Sequence, residues 1–159
     1  MSLGGEVDTD LTLENAIRNA AAQGVLVVIS AGNEGAAASG GNAAEGTSPG
    51  EPAYIAGQTQ SLGRVVAVGA VDRNGAMPTF STASYYLLAP GVSVITAGVD
   101  DNIRLPNGTN NDTDSEGDYW SASGTSFAAP HVTGALALML DLFPNITPEN
   151  ALLALLESA

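Results

Sequence analysis

The sequence predicts an α/β fold: a mostly parallel β-sheet with helices on both faces. Two apolar, β-branched runs of strand length, Val25–Ser30 and Arg64–Val71, are the first observation. Such continuous apolar runs are typical of parallel strands, which are covered on both faces. A helical pattern over Asp8–Gln23 leads directly into the first run, which is the second observation. The helix–strand order therefore favours a buried parallel sheet.

The first predicted helix has signals for its start and its end. Asp10 or Thr12 is expected to cap it, and Gly24 is expected to stop it. One face carries four apolar residues at helical spacing, namely Leu13, Ile17, Ala20 and Ala21.

A third strand is predicted at Ser93–Ala97, after turns at Asn74–Gly75 and Ala89–Gly91. The segment Val99–Asp118 is polar and acidic, which indicates a loop or a hairpin insertion. Tyr119 and Trp120 follow it, and they fit either hairpin packing or a platform for substrate.

Two helices complete the chain. Ser126–Phe143 is apolar nearly all round, so it is expected to be a buried core helix that Pro144 ends. The last helix has Thr147 as its expected cap and Pro148 at its first position. Its leucines make it amphipathic.

Charge and composition exclude several function classes. The 159 residues include 17 acids and 4 Lys or Arg, which gives a formal net charge of −13. This balance disfavours nucleic-acid binding, because phosphate contacts need basic side chains. The absence of cysteine excludes disulfides, thiol catalysis and zinc–thiolate sites. The longest apolar run, Val132–Phe143, is too short to span a bilayer, and no signal-peptide pattern is present.

The segment Gly124–Gly134 (GTSFAAPHVTG) carries the strongest chemical signal. A glycine turn brings Ser126 to the first turn of a helix, where backbone N–H groups have no partner within the helix. The helix dipole favours negative charge at the same place. An oxyanion that forms beside Ser126 would meet both. The alternative is that Ser126 is only a helix cap.

A second signal lies where the strand ends in the glycine-rich turn of Val27–Gly35 (VVISAGNEG). Ligands bind at strand ends of α/β sheets, and the side-chain amide of Asn33 can donate to a developing oxyanion. Taken alone, this segment is simply a turn.

Together these motifs resemble the subtilase family of serine peptidases, and the match covers essentially the whole chain. Other segments match the family in the same order, namely Ser2–Gly5, Val65–Asp72, Phe80–Ser81 and Ala89–Ser93. The resemblance places residues 1–159 in the C-terminal part of a subtilase catalytic domain. It implies a partial subtilisin-like three-layer fold.

The resemblance also implies roles. Ser126 would be the acylating nucleophile of a serine endopeptidase, and Asn33 would share the oxyanion with the Ser126 N–H. The residues implied to contact a polypeptide substrate are Ser2, Leu3, Gly4, Ala31, Gly32, Glu34 and Thr125. Family members suggest a secreted or cell-envelope location.

The triad base and its orienting acid are the point of departure from the family. In subtilases the triad Asp and His precede the segment matched here. The single histidine, His131, follows Ser126 on the same helix and is not expected to be the base. The chain alone is therefore expected to be inactive, because a protonated serine attacks poorly. It is also expected to associate with itself or with the missing N-terminal half.

Alternating acids at Asp112, Asp114 and Glu116 resemble the first half of a calcium loop. The twelfth position from Asp112 is Ser123, where such a loop needs a glutamate. A calcium site and a solvated acidic loop both stay open, although the peptidase chemistry itself needs no cofactor. Two other functions stay open as well: a non-catalytic interaction module and an acidic calcium-binding domain. An intact Ser126 and Asn33 favour the peptidase.

Overall fold

The computed structural model describes residues 1–2, 11–35, 53–57, 63–82, 87–97 and 119–158. These segments form three α-helices, a short 3-10 helix and five strands. In chain order they are α1 (Thr12–Ala22), β1 (Val27–Ser30), the 3-10 helix (Ala53–Gly57), β2 (Val65–Val71), β3 (Leu87–Pro90), β4 (Val94–Ala97), β5 (Tyr119–Ala122), α2 (Thr125–Leu142) and α3 (Pro148–Ser158).

The described part contains a three-stranded parallel sheet in the order β1–β2–β3. Val27 pairs with Val65 at the start of the β1–β2 ladder, and Ser30 pairs with Val68 at its end. All four β1 residues are buried, as are the first six residues of β2. This confirms the predicted α/β class and the predicted parallel pairing of two apolar strands.

Helices cover both faces of this sheet, as predicted. On one face the apolar residues of the strands pack on α2 and α3, in a cluster that includes Val28, Val66, Val68, Ala70, Leu87, Ala128, Val132, Leu136 and Leu152. On the other face the intervening strand residues pack on α1 and the 3-10 helix, in a cluster that includes Val27, Ile29, Val65, Ala67, Ile17, Ala21 and Ile55. Alternate residues of β1 and β2 thus serve different cores.

The third strand of the parallel sheet was not predicted. It is β3, in a segment that the sequence analysis read as ending in a turn at Ala89–Gly91. β3 has only four residues, with Leu87 and Ala89 buried and Leu88 and Pro90 exposed. A strand this short, ending in proline, gives little strand signal. The predicted strand at Ser93–Ala97 exists as β4, but it pairs antiparallel with β5 in a separate two-stranded sheet.

The first helix begins later than predicted within the described residues. Thr12 is its first residue, and the preceding Leu11 makes no side-chain cap; Asp10 lies outside the described residues. Leu13, predicted on the buried face, is 41% exposed. Gly24 ends the helix with a φ of +91°, as its position predicted.

Helix α2 differs from the prediction in its burial. One face packs on the sheet through Ala128, Val132 and Leu136. The other face is open in the described part of the chain, where Leu138 is 64% exposed and Leu142 is 69% exposed. A helix that is apolar on all sides is buried only when other elements cover both of its faces. α3 begins as predicted, and Thr147 Oγ1 accepts a hydrogen bond of 3.3 Å from the Asn150 N–H.

Candidate active site

The carboxyl end of β1 leads into the turn that carries Asn33. The strand stays paired until the Ala31 N–H donates to the Val68 carbonyl at 2.9 Å. Gly32 then has a φ of +115°, which turns the chain away from the sheet. The next residue, Asn33, is exposed beyond the strand end. The local sequence thus places a polar side chain at the carboxyl end of a strand, where α/β proteins bind ligands.

Ser126 lies in the first turn of α2, near the same end of the sheet. The Gly124 N–H just before the helix donates to the Gly91 carbonyl at 2.8 Å, and this bond fixes the helix start against the segment after β3. Gly91 is itself tied to β2, because its N–H donates to the Val71 carbonyl at 3.0 Å. The parallel sheet and α2 together bring Ser126 and Asn33 to the same end of the sheet.

Thr125 joins the two motifs directly. The Asn33 Oδ1 atom accepts the Thr125 N–H at 2.8 Å and the Thr125 hydroxyl at 3.0 Å. The same hydroxyl oxygen accepts the Gly32 N–H at 3.2 Å. Thr125 is fully buried, so its ends of these bonds are shielded from water, whereas Asn33 is exposed. The two motifs that the sequence analysis singled out are therefore one hydrogen-bonded unit.

This arrangement leaves two N–H donors beside Ser126. With its oxygen held by Thr125, Asn33 presents its Nδ2 group, which lies 3.4 Å from the position a Cβ would take at Gly124. Among the N–H groups that start α2, Thr125 donates to Asn33 and Phe127 donates to the Gly124 carbonyl. The Ser126 N–H between them donates to no group in the described part of the chain. An anion at this helix start would meet both donors.

The N-terminal residues lie beside both motifs. The Ser2 hydroxyl donates to the Ser126 carbonyl at 2.8 Å. The Ser30 N–H donates to the Met1 carbonyl at 3.0 Å, and the Met1 amine donates to the Val28 carbonyl. Met1 thus runs parallel to β1, along the side of this strand that faces away from β2. Leu3 and Gly4, expected to contact substrate, lie outside the described residues.

The residues expected at the rim of the substrate pocket differ in exposure. Ala31 is fully buried in the core on the α1 face, so only its backbone can take part in binding. Glu34 is exposed. Its Oε2 atom lies beside Gly32, so close that a Cβ at Gly32 would collide with it. A side chain at Gly32 would therefore displace the Glu34 carboxylate.

His131 lies away from the position of a catalytic base. Its ring is exposed on α2, and Nδ1 forms a 2.7 Å hydrogen bond with the carbonyl of Phe127, one turn earlier. A triad base would instead bond the serine hydroxyl. This geometry agrees with the expectation that His131 is not the base.

The hairpin of β4 and β5 leads into the turn before α2. The Trp120 indole N–H donates to the Ala97 carbonyl at 3.2 Å, within the hairpin. Tyr119 is 70% exposed. The Ser93 N–H donates to the Ser123 hydroxyl at 2.9 Å, close to the start of α2. Trp120 is thus hydrogen-bonded within the hairpin while the residue is 54% exposed, and both of its interpretations stay open.

The acidic residues Asp112, Asp114 and Glu116 lie outside the described residues, so the predicted calcium site stays a prediction. Within the described segments, no three His, Cys, Asp or Glu side chains are grouped as metal ligands. In those segments, too, no helix has both the length and the apolarity to cross a membrane.

Sequence reasoning missed one residue of this region. Thr82 is fully buried, and its N–H donates to the Gly32 carbonyl at 3.1 Å. Its neighbour Ser81 is also buried and accepts the Ala70 N–H at 2.9 Å. The segment around Phe80–Ser81 was recognised only as a family match. No local pattern shows that it packs behind the Asn33 turn, because that contact joins residues 50 positions apart.

Comparison with known proteins extends this picture. The sequence profile of the subtilase family, peptidase S8, matches residues 1–159. Subtilisin DY of Bacillus licheniformis is 36% identical over 149 residues, which cover 92% of this chain and 43% of that protein. The major intracellular serine protease of Bacillus subtilis is 38% identical over 141 residues, covering 87% of this chain and 35% of the relative. An extracellular protease of Xanthomonas campestris is 34% identical over 158 residues, or 99% of this chain and 23% of that protein.

A solved structure, that of a cold adapted subtilisin-like serine proteinase, has the same fold over the whole chain. The TM-score is 0.69 at 28% identity, and the match covers 100% of this chain and 46% of the other. The chain thus spans less than half the length of each of these relatives. With the profile matching its full length, the chain belongs to the subtilase family of serine peptidases.

Proposed function

We propose that this chain supplies the nucleophile and the oxyanion hole of a serine endopeptidase. The observation that carries the proposal is the pair of hydrogen bonds from Thr125 to Asn33 Oδ1. They orient the Asn33 Nδ2 group as a donor beside the first turn of α2, which holds Ser126. Preorganised donors of this kind are often the largest single contribution to acyl-transfer catalysis.

The proposed reaction proceeds through an acyl-enzyme. The Ser126 Oγ attacks the carbonyl carbon of a peptide bond, and its proton passes to a general base. The carbonyl oxygen becomes an oxyanion, which accepts hydrogen bonds from Asn33 Nδ2 and from the Ser126 N–H. The C–N bond then breaks and the amine leaves with the proton. Water hydrolyses the resulting ester and frees Ser126.

The base and its orienting carboxylate are assigned to a part of the peptidase domain outside this chain. The geometry of His131 supports this, since its ring bonds the Phe127 carbonyl. The coverage of the relatives also supports it, since each extends well beyond the matched region. Polypeptide is the proposed substrate, with Glu34 and the Gly32 backbone at the pocket rim. The proposed location is secreted or at the cell envelope; among the relatives, one is named extracellular and one intracellular.

The test replaces Asn33 by leucine in a complete peptidase domain that contains this chain. Turnover should fall by about 10²-fold or more, the magnitude already known for the corresponding donor of subtilisin. The Michaelis constant should change little, because the donor acts mainly in the transition state. Asn19→Leu, on the exposed surface of α1, is the matched control. A loss confined to the Michaelis constant would contradict the assigned role of Asn33.

A further inference from the structure

The turn that carries Asn33 is held from two sides by buried threonines. The Gly32 N–H donates to Thr125 Oγ1 at 3.2 Å, and the Gly32 carbonyl accepts the Thr82 N–H at 3.1 Å. Both polar groups of this glycine are therefore fixed by other segments of the chain. Thr125 and Thr82 are each 0% exposed.

The segment that contains Thr82 also packs against the Asn33 turn through side-chain and backbone atoms. Thr82 Oγ1 lies 2.9 Å from the position that a Cβ would take at Gly32. At Gly35, the other end of the turn, a Cβ would collide with the Thr79 carbonyl and would lie 3.1 Å from the Phe80 Cα. The turn accommodates this close approach because both of its contact positions are glycines with positive φ.

Glycine at such a position needs support from its surroundings. It has the widest range of backbone conformations, so a displacement of Gly32 passes directly to the adjacent Asn33. Thr125 holds the side-chain oxygen of Asn33, but this contact alone does not fix the peptide group between Gly32 and Asn33. The Thr82 side chain, together with the Glu34 carboxylate, occupies the space where a Cβ would lie at Gly32, and the buried Thr82 limits this freedom.

We propose that Thr82 is a positioning residue for the oxyanion donor Asn33, acting through Gly32. Its side chain acts by shape rather than by its hydroxyl, because Thr82 Oγ1 is buried and has no hydrogen-bond partner in the described part of the chain. The proposal rests on the proposed function, in which Asn33 Nδ2 stabilises the oxyanion. A displaced donor weakens that stabilisation more than it weakens substrate binding.

The experiment is a double-mutant cycle on turnover, made in a complete peptidase domain that contains this chain. Thr82→Ala removes the bulk against Gly32 and should lower kcat about fivefold with KM unchanged, as expected for a positioning contact. Thr82→Val keeps the shape and should retain wild-type kcat. In the Asn33→Leu background, Thr82→Ala should cause no further loss, because the two residues act as one unit. Should Thr82→Ala not fold, Thr82→Ile replaces it in the cycle, because its larger side chain would push against Gly32 and should lower kcat only while Asn33 is present.

Three outcomes would overturn this inference. The first is an equal loss from Thr82→Ala in the wild-type and Asn33→Leu backgrounds, which would make its effect independent of the donor. The second is a loss in Thr82→Val as large as that in Thr82→Ala. The third is a Thr82→Ala variant that keeps wild-type kcat while Asn33→Leu loses it, which overturns only the role of Thr82. An Asn33→Leu variant with wild-type turnover would instead overturn the proposed function.

Discussion

Asn33 Oδ1 accepts two hydrogen bonds from Thr125, one from its N–H at 2.8 Å and one from its hydroxyl at 3.0 Å. An amide oxygen with two donors leaves no ambiguity about which side-chain atom is the nitrogen. The residues are 92 positions apart, yet Thr125 immediately precedes Ser126, the proposed nucleophile. The position and direction of the Asn33 amide, the proposed oxyanion donor, are thus set by the residue next to this serine.

Thr125→Val should lower turnover of a complete peptidase domain roughly tenfold. The change removes one hydrogen bond to Asn33 and the acceptor for the Gly32 N–H; a net loss of about 1–1.5 kcal/mol for a neutral bond corresponds to that factor. Thr125→Ser keeps the hydroxyl and should stay within about twofold of wild type on the same scale. Steady-state kinetics on a peptide substrate measures both. Equal turnover of the valine and wild-type proteins would show that the N–H bond alone orients Asn33.

Much of the site was predictable because its parts are local. A glycine turn before a helix placed Ser126 at a helix start, and a strand followed by Gly32 placed Asn33 at a strand end. The resemblance to subtilases implied that Asn33 and Ser126 act together, but the contacts that hold the Asn33 turn in place could not be predicted. Thr125 and Thr82 each touch the Asn33 turn from a distant part of the chain, and no local pattern encodes such a contact.

The fold was predictable to a similar extent, and for the same reason. The apolar runs of β1 and β2 are long enough to show their burial, whereas β3 alternates over only four residues. The exposure of α2 was also missed, because sequence shows that Leu138 and Leu142 are apolar but not whether anything covers them. Whether a short strand joins the sheet, and whether an apolar helix face is covered, depends on the rest of the fold.

The ionised Glu14 carboxylate should stabilise the fold at pH values above its titration range, and this stabilisation should be lost in acid. The Tyr54 hydroxyl donates to its carboxylate, and Arg18 pairs with it one helical turn away; these bonds, the Tyr54 bond foremost, lower the pKa of Glu14. A lowered folded-state pKa stabilises the fold above the unfolded value, and the effect is lost as the pH falls from about 4.5 through the folded value. Glu14→Gln should therefore lose less stability than wild type over this range.

Thermal unfolding between pH 7 and pH 3 measures this difference. Glu157→Gln, on the exposed part of α3, is the control for the loss of one carboxylate. Parallel stability curves for Glu14→Gln and wild type would contradict the contribution of the Glu14 cluster.

The isolated chain should form dimers or larger assemblies at micromolar concentration. Leu138 and Leu142 are exposed on α2, and the following Phe143 is 57% exposed. A continuous apolar surface of this kind favours association. Leu138→Glu with Leu142→Glu should shift the chain toward monomer, as measured by light scattering.

The matched control places two glutamates at Ala22 and Gln23, exposed at the end of α1 on the opposite face of the sheet. This variant should associate like wild type. A compact wild-type monomer that unfolds cooperatively would contradict the prediction and would mean that the chain closes its own core.

Calcium is predicted to stabilise the chain if the acidic segment binds it. Millimolar calcium should then raise the melting temperature, because a ligand that binds only the folded state stabilises it. Asp112→Ala with Asp114→Ala should abolish the rise, whereas Asp141→Ala on the exposed face of α2 should not. A wild-type melting temperature that does not respond to calcium would identify the segment as a solvated loop.

Labelling with a fluorophosphonate probe tests the central claim most directly, because the probe reacts only with an activated serine. A complete peptidase domain should be labelled rapidly and stoichiometrically at Ser126, and Ser126→Ala should not be labelled. The isolated chain should stay unlabelled over the same time, and His131→Ala should leave the labelling of the complete domain unchanged. Rapid labelling of the isolated chain at Ser126 would contradict the account, since it would require a base within these 159 residues.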